Sequence, residues 1–220
     1  MATSGLPGSM LELTPEKALL FRITHIENVP WILENGLHCY NSSCRDPNFR
    51  QIGNPEIIDK RAGRRVPIAA GGTLSDYIPF YFTPYSPMLL NIKTGYYVAT
   101  TPMPDIAILV TSLRKVEADG LAFVFTDRHA YLEAAQFSSD LLQLDRIPWS
   151  GLQQRDFKRN PDDPAKFERY QAEALIHKGL PVSTLLGLVC HGPAQTSMIE
   201  AQVVRCSLQT RVLAKPEWYF

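Results

Sequence analysis

Cysteine is scarce in this sequence, and its spacing excludes the common zinc-binding classes. The four cysteines are Cys39, Cys44, Cys190 and Cys206. They form no C-x-x-C pair and no cluster with histidine, which structural zinc sites require. We therefore expect no metal, and we expect the cysteines to be reduced thiols that are mostly buried.

Long apolar runs are missing as well. No run approaches the roughly 20 residues that a membrane-spanning helix needs. The first ten residues have neither the charged nor the apolar region of a signal peptide. These absences favour a soluble, cytoplasmic protein without a membrane partner, and we expect it to be a monomer. We expect residues 1–10 to be a flexible lead-in or a cloning remnant, and residues 11–220 to form a single domain.

Neither sign of charge is in excess, because 22 lysines and arginines balance 22 aspartates and glutamates. Any basic binding site must therefore be local. The sequence also lacks the G-x-G-x-x-G, P-loop, H-E-x-x-H and G-x-S-x-G motifs. Their absence argues against the common dehydrogenases, ATPases, zinc proteases and serine hydrolases.

Short strand patterns outnumber long helical patterns along the chain. Apolar, β-branched runs predict strands at 19–24, 77–87, 106–111, 121–125, 185–191 and 210–213. Apolar spacing and stop signals predict helices at 26–36, 130–144 and 197–208, and shorter helical starts after residues 55 and 88. Because strands and helices do not alternate regularly, the pattern predicts an α+β or mixed fold and not a doubly wound nucleotide-binding fold.

One stretch, KFERYQAEALIH at 166–177, places a single carboxylate where an apolar strand begins. Glu173 is followed by Ala174-Leu175-Ile176, and a polar segment with three basic residues precedes it at 153–164. A lone acid at the start of a buried strand, beside a basic loop, indicates a catalytic carboxylate facing a polyanionic substrate. The alternative is a surface glutamate on an amphipathic helix.

Several uncommon strings occur together, in an order that covers nearly the whole chain after about Leu11. They are FRITHIENVPWILENGL at 21–37, IGNPEIIDKRAGRRVP at 52–67, GGTLSDYIPFYFTPYSPML at 71–89, FVFTDRHA at 123–130, RYQAEALI at 169–176 and WYF at 218–220. Together they resemble the DarT family, the toxins of the DarT–DarG toxin–antitoxin system.

The resemblance implies an ADP-ribosyltransferase-like fold, α+β, with a split mixed β-sheet core, flanking helices and NAD⁺ in the cleft. It implies a toxin that transfers ADP-ribose from NAD⁺ to a base in single-stranded DNA, most often thymidine, and releases nicotinamide. NAD⁺ would be a co-substrate, and a DarG-like macrodomain antitoxin would be the partner. The alternatives are an ADP-ribosyltransferase acting on guanosine, RNA or protein, and a non-catalytic module that binds NAD⁺ or nucleic acid.

The resemblance assigns catalysis to Glu173, which matches the family's glutamate in Q-A-E, and to Arg61. Breaking the nicotinamide–ribose bond builds oxocarbenium character, which a carboxylate placed there stabilises in the transition state. The family uses an arginine against the proton of thymine N3. Because the pKa of arginine exceeds about 12, we expect Arg61 to stabilise the developing anion, and proton abstraction is the alternative. Lys60, Arg64 and Arg65 are expected to form a solvated basic turn that could contact phosphate without taking part in the chemistry.

The resemblance also implies a set of NAD⁺-binding residues. On the first strand, Arg22-Ile23-Thr24 fits the pattern of a cation followed two residues later by a hydroxyl. Tyr81 is expected to stack on nicotinamide. Packing in the core is the alternative for Trp31 and Met88. The expected set is Arg22, Ile23, Thr24, Trp31, Cys39, Arg61, Tyr81 and Met88.

Acceptor DNA is expected to contact a second set of residues, which is His129, Arg155, Lys158, Arg159 and Arg50. For His129 the alternative is a capping or core histidine, and for the charged residues it is a solvated surface. Single-stranded bases are expected to stack on aromatic residues such as Tyr85, Phe157 and Tyr170.

Overall fold

The computed structural model describes residues 11–68 and 70–220, so the prediction for residues 1–10 lies outside the described residues. The described residues include ten short strands. They are Leu19–His25 (β1), Leu37–His38 (β2), Tyr77–Tyr81 (β3), Ile106–Ser112 (β4), Phe123–Thr126 (β5), Phe137–Ser138 (β6), Glu173–His177 (β7), Gly179–Leu180 (β8), Gly187–Cys190 (β9) and Arg211–Ala214 (β10).

Eight of these strands form one mixed sheet in the order β10-β9-β4-β1-β3-β7-β5-β6, and β2 pairs with β8 separately. The neighbours in the large sheet are antiparallel except β9 and β10. β4 is buried along its whole length, as its continuous apolar run predicts. The predicted α+β fold with a mixed sheet is confirmed.

Seven α-helices flank this sheet in the described part of the chain. They are Val29–Asn35 (α1), Pro55–Gly63 (α2), Pro87–Thr94 (α3), Leu113–Ala118 (α4), Trp149–Gln153 (α5), Lys166–Arg169 (α6) and Pro193–Arg205 (α7). α2 and α3 begin by the same device, a side-chain cap followed by proline in the first turn. Asn54 accepts from two backbone N–H groups of α2, and Ser86 accepts from one of α3. Within the described ranges, no helix is long and apolar enough to cross a membrane.

A proline explains why the sheet opens in its middle. β1 and β3 are joined by a single pair, Phe21 with Tyr81. Proline has no N–H to give to a ladder, and Pro79 lies two residues before Tyr81 on β3. In place of a backbone bond, the Arg22 guanidinium Nη1 donates to the carbonyl oxygen of Pro79 at 2.8 Å. The two halves of the sheet therefore separate beyond Phe21, and a cleft forms between them.

The helix predicted at 130–144 is wrong. The chain instead turns back so that β6 pairs with β5, and a short 3₁₀ helix follows at Leu141–Arg146. Two polar contacts replace a helical ladder: Gln136 N–H donates to Asp127 Oδ1 at 2.9 Å, and the Asp140 carboxylate caps the 3₁₀ helix. Helically spaced apolar residues thus belong to two separate elements.

The four cysteines are all free thiols. Cys39 and Cys190 are buried, Cys206 is intermediate and Cys44 is exposed. Burial raises the pKa of both buried thiols, so neither is an activated nucleophile.

Candidate active site

The register of three strands brings the predicted catalytic residues together. Glu173 is the first residue of β7 and lies opposite Tyr81, the last residue of β3. Tyr81 also pairs with Phe21, whose neighbour on β1 is Arg22. We call Arg22, Tyr81 and Glu173 the strand floor. All three line the same cleft.

Glu173 is almost completely buried, with 2 % of its surface exposed, and polar groups surround its carboxylate. Oε2 accepts from Arg61 Nη1 at 2.9 Å, and Oε1 accepts from the backbone N–H of Ala130 at 3.2 Å. The backbone N–H of Glu173 donates to the hydroxyl of Thr126 at 3.3 Å. Both oxygens and the main chain are therefore fixed, which orients the carboxylate before any substrate arrives.

These partners keep the carboxylate charged. Burial alone would raise the pKa of Glu173, but the charge of Arg61, the nearby His129 and the two hydrogen bonds together lower the pKa below its ordinary value of 4.5. At neutral pH the cleft thus contains an ionised carboxylate with little access to water, where electrostatic interactions are strong.

Arg61 reaches this carboxylate from the last turn of α2, 112 residues away in sequence. The guanidinium is buried, and its Nη2 is a buried donor without a hydrogen-bond partner among the described residues. Within the same residues, Arg22 has the same feature, because its Nε is also buried and unpaired. Burial, followed by the charge of Arg61, lowers the pKa of Arg22 to about 10. An unpaired buried donor is costly, so both arginines are suited to an anionic ligand in the cleft.

His129 lies on the loop after β5, next to Ala130, whose backbone N–H donates to the Glu173 carboxylate. Its Nδ1 is 3.4 Å from Glu173 Oε1 and accepts the backbone N–H of Tyr131 at 3.2 Å. Burial lowers the pKa of His129 below its ordinary value of 6.5, against the opposing charge of Glu173. The imidazole is therefore neutral at pH 7, and its Nε2 carries the proton.

Most of the predicted NAD⁺-binding residues line one cleft, together with the two catalytic candidates and His129. These residues are Arg22, Ile23, Thr24, Cys39, Arg61, Tyr81, Met88, His129 and Glu173. Trp31 is not among the lining residues. Its ring lies edge-on to His38, with the ring centroids 5.6 Å apart, and it packs against the core.

The other predicted DNA-binding residues lie outside this cleft. Lys158 and Arg159 are exposed on the loop before α6. Arg50 is exposed and paired with Glu27 at 2.8 Å. The Arg155 guanidinium lies 3.5 Å from the centre of the Tyr85 ring.

The aromatic residues expected to stack on DNA bases are placed differently from the prediction. Tyr85 and Tyr170 are 4 % and 2 % exposed. The Phe157 ring packs against Tyr170, with the ring centroids 5.1 Å apart, and Tyr170 donates to the carbonyl of Tyr85 at 3.2 Å. Because these rings are packed beneath the loop, neither Tyr85 nor Tyr170 exposes a ring face on which a nucleobase could stack.

One wall of the cleft was missed by the sequence analysis. Residues 38–54, of which only Cys39 was predicted to line the cleft, and the start of α2 contribute many lining side chains. We call residues 38–54 the loop wall. Arg45 is its only cation that faces the cleft, and its guanidinium lies over the rings of Tyr40 and Phe49 at 4.4 and 5.3 Å. The missed lining residues include His38, Tyr40, Arg45, Phe49, Gln51, Ile52, Asn54, Ile57, Ile58 and Ser75.

No group of three or more histidine, cysteine, aspartate or glutamate side chains in the described part of the chain could hold a metal ion. A split mixed sheet with an arginine on the first strand, a tyrosine on the central strand and a buried glutamate on the next defines the ADP-ribosyltransferase class. The chain belongs to the DarT family: the family model described as ssDNA thymidine ADP-ribosyltransferase, DarT, matches residues 21–220.

Individual relatives agree with this assignment. A DNA ADP-ribosyl transferase of Escherichia coli O127:H6 is 51% identical over 209 residues, which cover 94% of this chain and 96% of that protein. Solved structures of Thermus sp. 2.9 DarT match with 32% identity. The match to the complex with ADP-ribosylated ssDNA has a TM-score of 0.87 and covers 95% of this chain and 99% of the Thermus chain. The match to the complex with NAD⁺ has a TM-score of 0.81 and covers 94% of this chain and 99% of the Thermus chain.

A fusion protein also matches. In Thermosipho africanus, a DNA ADP-ribosyl transferase-DNA ADP-ribosyl glycohydrolase fusion protein is 26% identical over 160 residues. The match covers 71% of this chain and 38% of the fusion.

Proposed function

We propose that this chain transfers ADP-ribose from NAD⁺ to thymidine in single-stranded DNA, with Glu173 and Arg61 as the catalytic residues. Family membership makes it an NAD⁺-dependent DNA ADP-ribosyltransferase with the role of a toxin. The observation that supports the catalytic assignment is the buried Glu173 carboxylate, fixed by Arg61 and Ala130 at the point where the cleft opens between β1 and β3.

The charges of the cleft suit NAD⁺. The charged residues that line it are Arg22, Arg45, Arg61 and Glu173, which give a net charge of +2. A pyrophosphate carries two negative charges and accepts hydrogen bonds well from guanidinium groups. The spare donors of Arg22 and Arg61 are available for such a ligand. Arg22-Ile23-Thr24, Cys39, Tyr81 and Met88 complete the binding surface, and the position of Trp31 favours packing.

The reaction divides into bond cleavage and capture. The bond from the ribose anomeric carbon to nicotinamide breaks, and nicotinamide leaves with the electron pair as a neutral molecule. The ribose carbon becomes cationic, and the Glu173 carboxylate stabilises that charge. Tyr81 is half-buried, and loss of solvation raises the pKa of its phenol. The phenol is therefore neutral and can lie against the nicotinamide ring.

Capture requires an electron pair on the base. Thymine N3 attacks the ribose carbon and loses its proton to water or to a nearby group. The Arg61 guanidinium, positioned beside Glu173, stabilises the negative charge that develops on the thymine. A neutral His129 could accept or relay the proton only through a change of its Nδ1 contact with Tyr131, so we assign it a hydrogen-bonding role toward the base.

The wider setting is also proposed. We infer that the chain is a monomer of one catalytic domain, residues 11–220, which acts in the cytoplasm and is countered by a DarG-like macrodomain antitoxin. The Thermosipho fusion supports that partner, because it joins a transferase to a DNA ADP-ribosyl glycohydrolase in one protein. Arg155, Lys158, Arg159 and Arg50 remain proposed DNA contacts.

The acceptor can be tested directly. The chain is incubated with labelled NAD⁺ and equal amounts of single-stranded DNA, duplex DNA, RNA and protein, and with single-stranded DNA that lacks thymidine. We expect label on thymidine-containing single strands alone. Label on the thymidine-free strand would contradict the choice of base, and label on protein alone would contradict the DNA acceptor.

The role of Arg61 is tested by Arg61→Ala. We expect DNA transfer to fall by about 10²-fold, as for loss of one preorganised donor, while the Kd for NAD⁺ changes less. Equal losses would make Arg61 an NAD⁺ ligand only. Arg146→Ala, which removes an exposed cation outside the cleft, is the control for general loss of charge.

A further inference from the structure

Arg64 connects two parts of the active site that are far apart in sequence. It directly follows α2 as the C-cap residue, three positions after Arg61. Its Nη2 donates to the carbonyl oxygen of Leu132 at 3.0 Å and lies 3.5 Å from that of Glu133. Its guanidinium carbon is 6.0 Å from the centre of the Phe137 ring. Arg64 therefore faces the protein, in contrast to the solvated role expected from the sequence.

The loop whose carbonyl accepts from Arg64 also contacts the carboxylate of Glu173. We call residues 126–133 the carboxylate loop. Its Ala130 N–H donates to Glu173 Oε1, and its His129 lies next to the same oxygen. Leu132 is hydrogen-bonded to the same turn, because its N–H donates to the carbonyl oxygen of His129 at 3.0 Å. The carbonyl of Leu132 that accepts from Arg64 thus belongs to the turn that places His129.

Two arginines at the end of α2 therefore stabilise the two oxygens of the same carboxylate, one directly and one through the loop. Arg61 contacts Glu173 Oε2 directly, and Arg64 holds the loop that contacts Oε1. If the carboxylate loop moved relative to α2, Arg61 and His129 would no longer face one another across the carboxylate. A fixed distance between these groups matters because small displacements of catalytic groups cost large factors in rate.

We propose that Arg64 is a positioning residue for the transfer step, which fastens the carboxylate loop to α2 and so sets Arg61 and His129 at fixed places around Glu173. The proposal rests on the proposed function for its kinetic consequence. Its structural consequence, the placement of His129, does not depend on the acceptor.

The chain offers a matched control in the next residue. Arg65 carries the same charge, but its side chain is exposed. If Arg64 simply attracted DNA phosphate, Arg64→Ala and Arg65→Ala would both raise the KM for DNA, and saturating DNA would restore the rate. A positioning role instead predicts a lower kcat for Arg64→Ala, with the KM for DNA close to that of Arg65→Ala.

The kinetic experiment measures DNA transfer at saturating NAD⁺, below the Tm of each variant. For Arg64→Ala we expect kcat to fall by about tenfold or more, consistent with misplacement of catalytic groups, and for Arg65→Ala we expect kcat to stay within about twofold. Arg64→Lys, which can reach one carbonyl but lacks the planar fork, should be intermediate. Equal kcat values for Arg64→Ala and wild type, or a loss confined to KM, would overturn the proposal.

A second readout needs no substrate. The side-chain resonances of His129 are assigned with a His129→Gln variant and titrated by NMR in wild type, Arg64→Ala and Arg65→Ala. Release of the loop should expose His129 and move its pKa up toward the ordinary value in Arg64→Ala alone. An unchanged titration would overturn the proposal. If wild type modifies no DNA, this titration still decides the role of Arg64, so the two failures are distinguishable.

Discussion

The strand floor and the loop wall form the same cleft by different physical means. The strand floor consists of residues whose places follow from β-sheet register. The backbone of Glu173 is fixed by pairing with β3, and its carboxylate is fixed by Arg61 and Ala130. The loop wall is held by side-chain contacts, such as the stacking of Arg45 on Tyr40 and the hydrogen bond that the Asn28 side chain donates to the Arg50 carbonyl at 2.8 Å. A rigid floor suits the chemical step, and a wall made from a loop suits the recognition of the ligand.

This comparison predicts that a change at Glu173 in the strand floor reduces the rate, whereas a change at Arg45 in the loop wall reduces the affinity for NAD⁺.

The largest effect is expected at Glu173. In Glu173→Gln the shape of the side chain is kept but the charge is lost, so the cationic ribose is no longer stabilised. We expect DNA transfer and nicotinamide release both to fall by about 10³-fold, with the Kd for NAD⁺ within about tenfold of wild type. Glu200→Gln, an exposed carboxylate on α7, is the control. Full activity in Glu173→Gln would remove Glu173 from the mechanism.

The buried ion pair of Arg61 and Glu173 should also affect the free energy of unfolding. In Arg61→Met the carboxylate of Glu173 is left buried without its cation, so the free energy of unfolding should fall by about 3–5 kcal/mol at pH 7. In Arg61→Met/Glu173→Leu most of this loss should be regained, because no charge remains buried. Denaturant unfolding of both variants measures this difference, and a double variant as unstable as the single one would contradict it.

The same pair sets a pH dependence. The pKa of Glu173 is lower in the folded chain than its ordinary 4.5. The contribution of the ionised Glu173 to the free energy of unfolding is therefore complete above pH 4.5 and is lost as the pH falls through the folded pKa. The destabilisation by Arg61→Met should therefore shrink at acid pH. A difference that stayed constant down to pH 3 would exclude an ionised Glu173 as its cause.

A smaller effect is expected in the loop wall. Arg45→Ala removes a cation that faces the cleft, while leaving the strand floor intact. We expect the Kd for NAD⁺ to rise by about tenfold, or ~1.4 kcal/mol, with kcat almost unchanged. Isothermal titration and initial rates separate the two quantities. A fall in kcat with unchanged Kd would break the division between floor and wall.

The smallest effect is expected on the loop before α6. Arg155→Ala should raise the KM for single-stranded DNA by less than about tenfold and lower the salt slope of binding by about 0.7, as for the loss of one phosphate contact. NAD⁺ affinity should not change. An unchanged slope would show that Arg155 serves only to pack on Tyr85.

The sequence predicted the parts of the site that have a periodic apolar pattern, and it predicted a single charged residue where that residue lies in such a pattern. β1, β4 and β7 were found because β-branched runs mark buried strands. Glu173 was found because it starts such a run. Pro79, inside the aromatic strand, was a further signal that was not used: a proline in a central strand predicts a break in the ladder.

The rest depends on contacts between distant residues. The loop wall has no periodicity, so nothing in the segment 38–54 predicts which side chains face the cleft. The contacts of Arg64 with Leu132 and of Arg61 with Glu173 join residues 68 and 112 positions apart. The helix predicted at 130–144 was wrong for the same reason, because the pairing of β6 with β5 outweighs local spacing.

The central claim is that the Glu173 carboxylate acts on the ribose that leaves nicotinamide, and a structure of this chain with NAD⁺ tests it most directly. The account predicts a Glu173 oxygen within about 2.6–3.2 Å of a hydroxyl of the nicotinamide ribose, with Arg61 still beside the carboxylate. A ribose held elsewhere in the cleft, with Glu173 bound only to Arg61 and Ala130, would contradict it.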